Sequence, residues 1–115
     1  MRASTDFSAT DTWILHPPAR RRKIEKRALA AELGAGGLRV RPQVPIVVRY
    51  KGQAVGDYLA DLVVEDAVIV EIKAQRVLHA TNSAQLLNYL AASGLRVGYL
   101  VNFHYPKATV RRLIL

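Results

Sequence analysis

The sequence predicts an α/β fold: a mixed β-sheet flanked by helices, with elements in the order α-β-β-β-α-β-β. Three observations predict it. Two aliphatic runs, residues 58–64 (YLADLVV) and 67–73 (AVIVEIK), follow one another like the arms of a hairpin. Two stretches rich in helix formers each end at glycine. The second of these stretches links strands, which implies a mixed sheet with helices packed on it. The chain has 115 residues, half of them apolar, which suits a single domain with one core.

Residues 1–19 show no period and are expected to form a loose tail, with Trp13, Ile14 and Leu15 as a small apolar island. The single domain is expected over residues 20–115. Residues 20–33 read as a helix with Ile24, Leu29, Ala30 and Leu33 toward the core, stopped by Gly34, Gly36 and Gly37. Residues 38–50 read as extended, and Pro42 and Pro45 place them on a sheet edge or an irregular entry. Lys51-Gly52 marks a turn and Gly56 a second punctuation. After the hairpin, Asn82 or Ser83 is expected to cap a second helix that carries Leu86, Leu87, Tyr89 and Leu90 and ends at Gly94. Residues 95–102 fit a buried strand and residues 109–115 a last strand.

Composition narrows the chemistry. No cysteine is present, so disulfides, thiolate metal sites and cysteine nucleophiles are excluded. No apolar run approaches the ~20 residues that span a bilayer, and no secretory signal stands out, so the expectation is a soluble cytoplasmic protein without a membrane partner. Seventeen Lys and Arg face nine Asp and Glu, a formal charge of +8 that favours polyanionic partners. Arg20, Arg21, Arg22 and Lys23, with Lys26 and Arg27, form the one dense basic block, read either as a solvated helix start or as a grip on a phosphate backbone. Residues 34–37 (GAGG) follow a helix rather than a strand, so they stop it and do not cradle phosphate. His79 and His104 read as lone surface histidines in loops, and the tyrosines as core or rim residues rather than a base-stacking platform.

The hairpin arms carry the candidate site. Side chains alternate across a strand, so Asp61 and Val63 share a face, as do Glu71 and Lys73. If the arms pair through a three-residue connection centred on Asp66, Asp61 lies opposite Glu71. Two carboxylates and an ammonium then converge on a mostly apolar sheet, which is costly unless a cation or a substrate neutralises them. That cluster suits a divalent metal acting on a phosphate. The competing reading is an ordinary exposed Lys73–Glu71 pair.

The element order and the D-x9-E-x-K spacing of Asp61, Glu71 and Lys73 resemble the PD-(D/E)XK nuclease superfamily. Residues 41–52 (RPQVPIVVRYKG), 60–66 (ADLVVED), 68–74 (VIVEIKA), 84–90 (AQLLNYL), 94–98 (GLRVG), 101–103 (VNF) and 110–115 (VRRLIL), in that order, resemble its GxxExxR family. The resemblance covers about residues 28–115. It implies a restriction-endonuclease-like core and a nuclease dependent on Mg²⁺ or Mn²⁺. By resemblance the metal ligands are Asp61 and Glu71, joined by the Ile72 carbonyl. Lys73 orients water or stabilises charge, and Gln85 completes the site from the following helix. The implied partner is nucleic acid, DNA in preference to RNA.

The N-terminal part departs from the family. No Gly-x-x-Glu-x-x-Arg occurs, Lys26 takes the family's glutamate position, and Glu25 is one residue off, about 100° round a helix. Glu25 then reads as a helix-start carboxylate favoured by the dipole. Asn82-Ser83 stands where the family often has His-Glu. The expectation is an altered or shortened N-terminus. A missing helix would leave an apolar sheet flank that favours a homodimer. The alternatives to a nuclease are a catalytically impaired scaffold that binds nucleic acid or a partner, and a domain completed by a separate N-terminal piece.

Overall fold

The computed structural model describes residues 18–104 and 107–115. Its elements are α1 (Pro18–Ala35), β1 (Val40–Tyr50), β2 (Gln53–Val64), β3 (Val68–Lys73), α2 (Ala80–Ser93), β4 (Val97–His104) and β5 (Lys107–Ile114). The predicted order α-β-β-β-α-β-β is the observed one. The strands form one five-stranded sheet in the order β1-β2-β3-β4-β5. β3 and β4 are parallel and the other neighbours antiparallel. The parallel step is the one bridged by α2, as a crossover requires. The tail and its apolar island lie outside the described residues, except that residues 18 and 19 already belong to α1. Among the described residues no helix is long and apolar enough to cross a membrane.

Alternation along the central strands sorts the core into two layers. Val63, Ile69 and Leu100 point to one face, where Leu86 and Leu90 of α2 cover them. Leu62, Val70 and Val101 point to the other, where Leu29 of α1 covers them. Both flanks are therefore helical. Past Leu29 the cover thins, and an apolar groove of about 390 Å³ remains between Leu33, Leu38, Val68, Tyr99 and Val110.

Several boundaries differ from the sequence reading, each for a local reason. α1 starts at Pro18, where proline's missing N–H costs no helix bond. Glu25 consequently sits in the second turn and is buried, not at the helix start. α2 begins at Ala80 with His79 as N-cap; Asn82 lies at N3, and its side-chain oxygen accepts the His79 N–H at 3.0 Å. At the other end Gly94 takes φ +77 and its N–H donates to the Leu90 carbonyl, which closes the helix. Gly56 does not interrupt the chain: it pairs with Val48 inside β2, and the register slips by one residue just beyond it. His104 ends β4 rather than lying in a loop.

The β2–β3 connection follows the expected register. Val64 pairs with Val68, which centres the connection on Asp66. The Ala67 N–H donates to the Val64 carbonyl, and Glu65 and Asp66 take φ +55 and +53, the double positive φ of a tight hairpin turn. The start of β1 holds this turn: the Arg39 N–H donates to the Glu65 carboxylate and Arg41 pairs with Asp66 at 2.8 Å. The Glu65 N–H donates to the Arg39 carbonyl in return.

The α2–β4 contact is tight at Gly98. A Cβ there would come within 2.9 Å of both Leu86 methyl carbons, and Leu86 is fully buried. Gly98→Ala is expected to lower stability by about 1–3 kcal/mol in urea unfolding. Gly34→Ala, with open space around its Cβ and a helical backbone, is expected to raise it by about 0.5–1 kcal/mol.

Candidate active site

The site begins where the β2–β3 ladder ends. The two strands pair at Leu62–Val70, Val63–Ile69 and Val64–Val68, and the next pair in register would be Asp61 with Glu71. There side chains replace the backbone ladder. The Asp61 N–H donates to Glu71 Oε1 at 3.1 Å, and the Ile72 N–H donates to Asp61 Oδ2 at 2.8 Å. Each carboxylate is thus held by the backbone of the opposite strand. β3 continues alongside β4 as far as Lys73, so the sheet forks and the two acids fill the fork.

Burial makes this an electrostatically loaded spot. Glu71 is buried and Asp61 half-buried. Burial first, and then the neighbouring Asp61 carboxylate, push the Glu71 carboxyl up to about 8, although the Asp61 N–H and the Lys73 ammonium pull it down. The Asp61 side chain also stands within hydrogen-bonding reach of the Glu71 carboxyl, which adds to the upward push. Tyr89 of α2 closes the α2 side, its ring 4.9 Å from that of Tyr58. Burial first, and then Glu71, Tyr58 and Asp61, raise the Tyr89 phenol too.

Lys73 lies on the same face as Glu71 but no described carboxylate is within ion-pair distance of it; its Nζ donates to Gln85 Oε1 at 3.2 Å. The structure therefore brings Asp61, Glu71, Lys73 and Gln85 together, with Gln85 touching the lysine. An exposed Lys73–Glu71 pair is not what forms. Asn102 is a residue the sequence reading gave no role. It is buried beside Lys73 in the β3–β4 register, and its amide clamps the Gln75 backbone through N–H···Oδ1 at 2.9 Å and Nδ2–H···O at 2.8 Å. A lone amide inside the apolar run 100–103 was its only signal.

The donor set fits a hard dication. Among the described residues no three His, Cys, Asp or Glu side chains form a metal cage. Two carboxyl groups do converge in the fork, however, and a strand residue's N–H and C=O point to the same side. Because the Ile72 N–H points at Asp61, its carbonyl faces the fork as well. Two carboxylates, one carbonyl and retained waters match what Mg²⁺ accepts.

The basic block divides. Arg20 is exposed, and Arg21 turns toward Glu25, which lies one turn before Leu29 against the sheet. Arg22, Lys23 and Lys26 instead line a pocket of about 240 Å³ with Gln43 and Asp61. Glu25 is 1% exposed, its Oε1 has no hydrogen-bond partner among the described residues, and burial pushes its carboxyl up to about 8 against the pull of Arg21.

Residues 20–113 match the family described as the PD-(D/E)XK nuclease superfamily. No curated protein shows significant sequence similarity. Among solved structures, the fold is similar to SSO0001 (TM-score 0.61, 19% identity, covering 80% of this chain and 48% of that one). It is also similar to an alkaline exonuclease, LHK-Exo, from Laribacter hongkongensis (TM-score 0.57, 16% identity, 86% and 59% coverage). LHK-Exo in complex with dAMP gives a TM-score of 0.60 at 16% identity, with 80% and 54% coverage. The chain spans about half to three-fifths of the length of these proteins.

Glu25 sets a pH dependence of stability. Its folded value lies above its unfolded one, so its contribution is full at low pH and is lost as pH rises toward about 8. Glu25→Gln keeps the shape without a charge to bury. In EDTA, urea unfolding is expected to show the variant gaining on wild type between pH 5 and pH 8, by on the order of 1–3 kcal/mol.

Proposed function

We propose that this chain, which belongs to the PD-(D/E)XK nuclease superfamily, hydrolyses phosphodiester bonds of nucleic acid with the aid of a divalent cation, Mg²⁺ or Mn²⁺. The observation that carries the reading is the pairing of half-buried Asp61 with buried Glu71 in the fork of the sheet, with Lys73 on the same face as Glu71. The ordered motifs from residue 41 to 115 support placement in the GxxExxR family, and the charge of +8 supports a polyanionic substrate, with DNA preferred.

The residues divide the work as follows. Asp61, Glu71 and the Ile72 carbonyl would hold the cation. When bound, it supplies charge neutralisation at the phosphate and acidifies water. Lys73 places an ammonium beside the reacting phosphate, where it stabilises charge developing on the oxygens and orients the attacking water. Gln85 acts through Lys73, holding its Nζ by the 3.2 Å hydrogen bond and restricting where the ammonium can go. The Asn102 clamp fixes the exit of β3 and so the backbone that carries Lys73. Buried Tyr89 keeps water from one wall of the site, which strengthens the charge interactions inside it.

A second reading has one observation in its favour. Glu25, the only acid near the position where the family carries a helix glutamate, packs against the sheet and joins no acidic cluster with Asp61 and Glu71. A scaffold that binds nucleic acid without cutting it would have this feature. One assay separates the two readings: cleavage of mixed DNA and RNA by the purified chain with Mg²⁺ or Mn²⁺.

The nuclease reading expects cleavage that EDTA abolishes. Asp61→Ala and Lys73→Ala are expected to lower its rate at least ~10²–10³-fold. Gln85→Ala is expected to cost ~10–100-fold, as supporting residues do. Arg20→Ala should leave the rate constant in place and weaken substrate binding. Salt-sensitive binding with no metal-dependent cutting would favour the scaffold.

A further inference from the structure

We propose that the pocket of Arg22, Lys23 and Lys26 on α1, Gln43 on β1 and Asp61 on β2 seats the nucleic-acid phosphate next to the bond being cut. The inference rests on the nuclease reading and adds which part of the substrate is held, and by what. Its chemistry is one-sided. Three cations and an amide line about 240 Å³ of space, and the single acid on the wall is already engaged by the Ile72 N–H and by Glu71. The ion pairs among the described residues join Arg39 to Glu65 and Asp66, and Arg41 to Asp66; none involves Arg22, Lys23 or Lys26. Like charges at i and i+4 repel along a helix, as Arg22 and Lys26 do here. An anion between them removes that repulsion.

The backbone shapes the opening. Gln43 has φ +56 in mid-strand, a left-handed conformation that non-glycine residues rarely hold. It lies where the β1–β2 ladder skips: Pro42 pairs with Leu62 and Val44 with Ala60, and Gln43 and Asp61 do not pair. The skip reverses the alternation of both strands. Val40 packs on the α1 side, whereas Val44 and Ile46 pack on the α2 side. Ala60 and Val63, three residues apart, share the α2 face for the same reason. Gln43 and Asp61 are both turned into one pocket as a result. Lys26 reaches that pocket because it is one residue past Glu25, and a 100° step moves it from the buried face of α1 to the flank beside Asp61.

Ammonium, guanidinium and amide groups on a phosphate carry no base information, so the contact is independent of sequence. It lies against an acid of the reacting centre, so the phosphate held there is a neighbour of the scissile one. The pocket thus sets where along the strand the cut falls.

Duplex DNA binding in EDTA tests the seat without metal or turnover. Arg22→Gln and Lys26→Gln are each expected to reduce the slope of log K against log salt by ~0.9 and to weaken binding several-fold on any sequence. Lys26→Arg restores the slope, and Arg96→Gln, in the connection between α2 and β4, leaves it unchanged. Gln43→Gly is expected to raise the urea midpoint by removing the strain while weakening binding. A scan of single neutral methylphosphonates along the substrate locates the contact. One position beside the cut should penalise wild-type binding and leave that of Lys26→Gln unaffected. Slopes equal to wild type in both variants, or methylphosphonate penalties that add to Lys26→Gln at every position, overturn the proposal. Pocket-dependent binding without cleavage removes the hydrolytic reading and keeps the phosphate seat; cleavage with unchanged slopes does the reverse.

Discussion

The structure turns on an exchange of hydrogen bonds where the sheet divides. At the pair after Leu62–Val70 the backbone ladder stops, and each strand's carboxylate takes the other strand's N–H. This satisfies amides that the fork would otherwise leave unbonded. It also fixes the two carboxyls against each other in a place where burial and Asp61 raise the Glu71 carboxyl. The local fold and the local chemistry therefore share one cause. A pair built only for stability would use apolar residues of similar size, since a buried like-charge pair costs stability.

The surrounding elements position this fork. The β2–β3 turn sets the register, and the turn is itself anchored to the start of β1 through Arg39 and Arg41. α2 crosses over to make β4 parallel to β3, and the same crossover brings Gln85 to Lys73 and Tyr89 to the acids. α1 covers the opposite layer with Leu29 and, by its rotation, sends Glu25 under the sheet and Lys26 to the flank. The result is asymmetric: the acids meet in the fork, and Arg22, Lys23 and Lys26 make no ion pair among the described residues beside it.

Most of this was legible in the sequence, and the parts that were not share a physical reason. A tight turn determines register, so the meeting of Asp61 with Glu71 could be read from 58–64 and 67–73 alone. The expected shared face of Asp61 and Val63 fails because the alternation of β2 breaks at Asp61, leaving Ala60 and Val63 on one face. Gln85 is found from its helix, although its contact with Lys73 needs coordinates. The strain at Gln43 has no sequence mark, because glutamine is not a residue that signals φ > 0. Burial of Glu25 was hidden by its basic neighbours, whose charges belong to other faces of the same helix. His79 is not a favoured N-cap, so the start of α2 was placed late, at residues whose side chain serves the cap from inside the helix.

The central proposal is that a divalent cation binds in the fork between Asp61 and Glu71, where burial and the neighbouring acid raise the Glu71 carboxyl. Calorimetric titration with Mn²⁺ in buffers of different ionisation enthalpy counts the protons expelled on binding. With the Glu71 carboxyl raised to about 8, roughly one proton should leave per ion bound at pH 7, and none at pH values well above 8. Binding without proton release at pH 7, or binding of equal strength in Glu71→Gln, would contradict the account.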